Sequence, residues 1–353
     1  MKSPTFNVTA HRLVFIDYLR IFAFASVLIG HRYIDGMTAV MNDPSSFIGL
    51  RWLMKAIVPL VRDGSAGVTV FFITSGYIIA HVLQTQTPRE FLIKRVFRIY
   101  PLYVFAVVLT YFLWGRLITP VQLLQQVLLI GDFFGTPLAL GIVEWTLRIE
   151  VTFYLLAAIL AGLGFFYRRV QYLPLILIGI VLVLAWLPPF PIHVYDDANG
   201  LLSFNFGFLL LGTMIYLTEH GKTRPIWLIA YLLVLGVCYY RVFPRTMPAL
   251  YPGNLALVGS LVFMTVWLLR RRLAATALVL FFSDLTYSVY LFHNWSMAPI
   301  ADWLSAHLGL GSGRASVYLV ECLTLLTLFA ICYTMMRLIE KPGIGWGKIV
   351  TRR

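Results

Sequence analysis

Arg20 and His31 stand eleven residues apart in the stretch RIFAFASVLIGH, whose other residues are apolar or small. A guanidinium can hold an anion, and an imidazole can move a proton near neutral pH. If the stretch is helical, steps of about 100° bring the two side chains within roughly 20° of one stripe, about 16 Å apart along the axis. Asp17, one turn before Arg20, falls on the same side and could pair with that guanidinium or orient it. Charged groups in lipid cost about 2.5–3.5 kcal/mol on insertion scales, so they usually face a bundle interior and act there. Either residue alone could be bland, with Arg20 snorkelling to one surface and His31 wetted at the other; their alignment favours a shared role.

Other ionisable groups follow. KRVFR at 94–98 brings together Lys94, Arg95 and Arg98, the last two at a helical i,i+3 spacing suited to charge-assisted bonds with phosphates. The same cations could be an ordinary cytoplasmic flank. Glu150 lies about 8 Å beyond Trp145 by helical rise, which predicts a depth similar to that of His31. There it could orient the imidazole and stabilise its cation; it could also pair with Arg148. His293, in YSVYLFHNW, is expected near mid-membrane, lining a passage or satisfied by packing. Trp145, Phe71, Phe72, Tyr287 and Tyr290 could shape an apolar tunnel or be packing aromatics. Ser75 and Gly76 read as a site of close helix approach; a serine nucleophile lacks its Gly-x-Ser-x-Gly context. Cys238, Cys322 and Cys332 show no metal-like spacing, and neither a disulfide framework nor a metal site is expected.

The elements that must position these groups are membrane helices. The 353 residues are 60% hydrophobic and 12% charged, with a mean hydropathy of +0.83. About ten apolar runs read as long enough to cross a bilayer: 14–34, 66–84, 97–115, 142–166, 172–188, 201–218, 226–242, 253–269, 278–301 and 316–338. The first is too long for a signal h-region and should remain as a helix. The expected fold is an all-α, polytopic helix bundle of about ten transmembrane helices, one domain over 1–353, with both termini cytoplasmic. The net charge of +13 argues for topology rather than nucleic acid, because the cations sit at the ends of hydrophobic runs. Inner loops and termini collect roughly eighteen Lys/Arg against roughly eight in outer loops, and PFPIHVYDDANG at 189–200 has none. PVQLLQQVLLIGDFF near 120–134 reads as interfacial or re-entrant, and FIGLRWLMKAIVPLV as a surface helix in the long outer loop 35–65. No internal repeat of fixed period is evident, which weakly disfavours a transporter.

DYLRIFAFASVLIGH resembles the first helix of the membrane-bound acyltransferase family 3, with its arginine, ten residues and a histidine. The likeness continues in order through GVTVFFITSGYIIA at 67–80, FLIKRVFRIYPLY at 91–103, EWTLRIEVTFYLL at 144–156, FSDLTYSVYLFHNW at 282–295 and LIEKP at 338–342. Arg148, Thr69 and Val151 depart from that pattern, where the family often has a small residue, an acid and a second glutamate. The resemblance implies a multi-pass enzyme of the cell's inner membrane that passes a short acyl group, acetyl before succinyl, from cytoplasmic acyl-CoA to a hydroxyl of a carbohydrate or lipid-linked glycan outside. Acyl-CoA would be a co-substrate, with no permanently bound cofactor. In that frame His31, Glu150 and Arg20 are the catalytic candidates, Lys94, Arg95 and Arg98 hold the nucleotide, and Asp17, Trp145 and His293 line the substrate or acyl path. The rival reading is a transporter or flippase for a polar solute or lipid-linked saccharide, with Arg20, Glu150 and His293 as binding groups and no acyl donor.

Overall fold

The computed structural model describes residues 12–114, 119–141, 143–190, 200–246, 254–308 and 313–352. Among them the fold is all-α. In chain order the helices are α1 (Val14–Arg32), α2 (Ile34–Asn42), α3 (Ile48–Val61), α4 (Ser65–Val82), α5 (Pro88–Trp114), α6 (Pro120–Val127) and α7 (Trp145–Gly162). They continue as α8 (Leu173–Trp186), α9 (Leu201–Glu219), α10 (Pro225–Thr246), α11 (Asn254–Leu268), α12 (Ala277–Leu308), α13 (Arg314–Met335) and α14 (Lys341–Val350).

Each of the ten apolar runs falls on a helix, and among the described residues seven helical stretches are long and apolar enough to cross a membrane. Val170–Trp186 and Ala256–Leu268 are shorter apolar helices. The α-helical part of the first is 14 residues long, which rises about 21 Å against a hydrocarbon core of about 30 Å. α12 has length to spare at 32 residues but interrupts its apolar sequence with Ser283, Asp284, Thr286, His293 and Asn294. The chain is a multi-pass membrane protein whose outer surface is itself apolar: Leu233 and Val237 on α10, Leu257 on α11 and Leu326 on α13 are each more than half exposed. In lipid such surface carries no hydration cost.

The loop expected at 35–65 is mostly helical, α2 and α3 forming a hairpin whose tip carries exposed Phe47 and Ile48. The 120–134 segment opens as α6, a two-turn helix shorter than a span. Thr119 and Gln122 close a capping box at its start, with Pro120 in the first turn, where no amide donor is needed. Most of 189–200 lies outside the described residues.

α4 is the hub, packed along α1, α9 and α11. Two glycines make the α4–α9 crossing possible. A Cβ on Gly76 would collide with the Leu209 carbonyl, and one on Gly212 with the Ile73 carbonyl, so each helix backbone occupies the space that a side chain would need on the other. α12 lies against α1 and α13, while α5 packs on α7 and α14. α1, α4, α5, α7 and α12 thereby converge on a common interior.

Candidate active site

That interior holds a cavity. α1 supplies Arg20, Ala23, Phe24 and Val27, an i, i+3, i+4, i+7 face; of the stripe read from the sequence, Arg20 lies on the cavity wall and Asp17 and His31 do not. α5 contributes Arg95, Arg98 and Ile99; α7 contributes Thr146, Leu147, Glu150 and Tyr154; α12 contributes Thr286, Tyr287 and Tyr290. Three guanidiniums therefore share a wall with one carboxylate. Arg20 and Arg98 make no salt bridge or hydrogen bond among the described residues, and Arg95 lies over the rings of Phe91 and Tyr154 at 5.4 and 5.5 Å. Arg20, Arg95 and Arg98 repel one another, and Glu150 offsets that repulsion only in part. Such an arrangement attracts an anion with several oxygens.

Glu150 belongs to this cluster and not to His31. Its Oε1 accepts a hydrogen bond from Ser75 Oγ at 2.8 Å, and it is coupled electrostatically to Arg20 and Arg95. The expectation of equal depth fails because His31 occupies the last turn of α1, while Glu150 stands more than a turn beyond the start of α7. Arg148 is not its partner either. The Arg148 guanidinium pairs with Asp132, donates to Gln126 Oε1 at 2.7 Å and lies 3.6 Å from Glu144, all four side chains being buried. Glu144 in turn accepts from the Ala139 and Leu140 amides at 2.7 and 2.6 Å. This knot, unforeseen from the sequence, engages the extra arginine and leaves Glu150 facing the cavity.

Two other expectations change. Asp17 does not bond Arg20: Arg12 clamps it with two hydrogen bonds of 2.8 Å, and Ser283 Oγ donates to it at 2.6 Å, tying α1 to α12. Lys94 pairs with Glu90 at 2.5 Å and does not line the cavity. On a helix Lys94 points about 100° away from Arg95, toward the side where Glu90 waits.

At the other end of the stripe, His31 Nδ1 lies 3.2 Å from His293 Nε2, with the two rings within 22° of parallel and their centroids 5.3 Å apart. His293 is buried and sits level with His31 instead of deeper. The cavity ends at Val27, one helical turn short of His31, behind Phe71 and Tyr290, whose rings stack at 6.2 Å. Tyr290 is the partition: its ring faces the cavity on one side and His293 on the other, 6.1 Å away. Its hydroxyl donates to the Val143 carbonyl and pairs with Thr146 Oγ1, each at 2.6 Å. Trp145 does not line this path but packs edge-on against Phe72.

Sequence reading also missed Thr74 and Glu340. Thr74 lines the cavity with a buried hydroxyl that has no partner among the described residues. Glu340, in the LIEKP motif, is brought by a π-helical turn to face Arg98 and Arg20 while accepting from Ser288 Oγ at 3.0 Å. A polar pair, Thr74 and Ser75, inside an apolar helix was the available signal for the first; the motif was the signal for the second.

No cluster of three His, Cys, Asp or Glu placed to hold a metal ion occurs among the described residues. No solved structure matches the chain. It is similar to Nodulation protein 10 of Rhizobium leguminosarum bv. viciae, 22% identical over 383 aligned positions that cover 95% of this chain and 94% of that protein. The family model described as an acyltransferase domain matches residues 13–339, a span that runs from α1 through α13 and takes in Arg20, His31, Arg95, Arg98, Glu150 and His293. The chain belongs to the acyltransferase 3 family.

Proposed function

We propose that this protein transfers a short acyl group, acetyl in the simplest case, from cytoplasmic acyl-CoA to a hydroxyl of a carbohydrate or lipid-linked glycan on the outer face of the cell's inner membrane. The observation that carries the reading is the pairing of an arginine-lined cavity with a histidine one turn beyond its far end, inside a chain of an acyltransferase family. Both termini lie in the cytoplasm in this reading, which puts Arg95 and Arg98 at the inner end and His31 at the outer. Arg20, Arg95 and Arg98 hold the phosphates of the nucleotide, and the pantetheine arm runs up the stripe past Phe24 and Val27. The Thr74 hydroxyl meets an amide of that arm, and Glu150, held by Ser75 among its cationic neighbours, fixes the guanidiniums in place. The thioester reaches the Phe71–Tyr290 wall, which must part to admit it to His31.

There the acceptor hydroxyl attacks the thioester carbonyl as its proton passes to a ring nitrogen of His31. The C–O bond forms, the C–S bond breaks, and the departing thiolate takes up a proton to leave as free CoA. A direct transfer and an acyl-imidazole route share these groups.

The test is thiol release from acetyl-CoA by purified protein in lipid, with mass spectrometry of the added glycan. Acylated glycan and stoichiometric CoA are expected from the native chain and neither from His31→Ala; equal turnover by His31→Ala would remove the base. A transporter or flippase would consume no thioester at all.

A further inference from the structure

The two imidazoles at the outer end of the stripe carry more information than their proximity. His293 Nδ1 lies 2.9 Å from the Tyr290 carbonyl and 3.1 Å from that of Val289. Carbonyl oxygens only accept, so Nδ1 must carry the hydrogen. A neutral ring then leaves its Nε2 as an acceptor, and a charged one would bury a cation at 2% exposure with no carboxylate bonded to it among the described residues. With His293 Nε2 accepting, the nitrogen 3.2 Å away, His31 Nδ1, has to be the donor. The remaining nitrogen of His31, Nε2, is left with the lone pair.

We propose that His293 is a positioning residue: anchored by two backbone carbonyls, it locks His31 in the Nδ1–H tautomer and so presents Nε2 as the base. It fills the part that an orienting carboxylate plays in a hydrolase triad, which Glu150 is too far along its helix to play. When His31 Nε2 takes the acceptor's proton, its Nδ1–H stays bonded to His293, which shares the new charge. Asp63, itself exposed, is the acid coupled electrostatically to His31, from the turn packed against α1. Arg32, the next residue after His31, is drawn off by Glu321. Gly30 makes the arrangement possible, since a Cβ there would strike the Val61 carbonyl and the Gly64 amide and push that turn off α1.

The inference rests on the acyl-transfer reading only for its consequence; the tautomer can be read without turnover. Nitrogen-15 NMR of histidine-labelled protein in lipid, with His31 assigned by its loss in His31→Asn, should show Nδ1 protonated and Nε2 bare near neutral pH. An Nε2-protonated His31 overturns the proposal even if the enzyme is active. Kinetically, His293→Leu should lower kcat at least 100-fold while the Kd for CoA moves less than about twofold, because neither imidazole lines the cavity. His293→Gln, which can still accept from Nδ1–H, should recover at least tenfold of that loss. Near-native kcat in His293→Leu, with His31→Ala inactive, would sink the positioning role and spare the reaction. The expected tautomer in a chain that consumes no acyl-CoA would do the reverse.

Discussion

Arg98→Gln tests whether the cationic end of the cavity grips a nucleotide. Arg98 lines the cavity and makes no hydrogen bond or salt bridge among the described residues, so its removal orphans no protein group at bonding distance. Glu340, the acid it faces, keeps the Ser288 hydroxyl. The loss should therefore fall on binding. One charge-assisted hydrogen bond to a phosphate is worth about 1.5–3 kcal/mol, or roughly a 10- to 150-fold weaker Kd. Lys94→Gln is the internal control. It removes a cation four residues away that is already committed to Glu90, and an i,i+4 helix pair of that kind contributes about 0.3–0.5 kcal/mol. Titration calorimetry with CoA on protein in nanodiscs should show the first loss and less than about a threefold change for the control. Raising the salt concentration should weaken the native complex more than that of Arg98→Gln. Equal affinity for Arg98→Gln and the native chain, or an equal loss in both variants, would refute the assignment.

The packing sets three further outcomes. Arg148→Met should destabilise the fold by about 3–5 kcal/mol by leaving buried Asp132 and Glu144 without their guanidinium, seen as a lower melting temperature in detergent, and adding Asp132→Leu should restore part of the loss. Gly212→Val forces α9 off the Ile73 carbonyl and should cost about 1–3 kcal/mol, whereas Gly236→Ala, where a Cβ meets nothing within 4 Å, should leave the melting temperature unchanged or raise it. Phe71→Ala opens the outer wall of the cavity and should shift donor preference from acetyl- toward butyryl-CoA by about tenfold in relative kcat/KM, with an unchanged ratio counting against the wall as the limit on chain length.

Helical period and apolar run length are enough to read the bundle and the α1 stripe, because both are local properties of one segment. Arg20, Ala23, Phe24 and Val27 share one face of α1 and line the cavity together. What spacing does not carry is the rotation and depth of one helix against another. Counting from Trp145 sets Glu150 beside His31, yet α7 carries it to the arginines. His293 reads as too deep because nothing across a separation of 262 positions announces that α12 delivers it to the end of α1. Asp17 looks like a partner for Arg20 on helical grounds, but Arg12, just before the helix begins, reaches it first. Arg148 is recognisable as unusual, while its acid, Asp132, sits in an irregular segment that no periodicity describes.

Transfer across the membrane is tested most directly in sided proteoliposomes, with labelled acetyl-CoA sealed on the face that carries Arg95 and Arg98 and an oligosaccharide acceptor only on the other. Label on the acceptor is expected from the native protein, and none from His31→Ala or from a variant lacking Arg20, Arg95 and Arg98. Label appearing only when donor and acceptor share one compartment would contradict a route through the bundle.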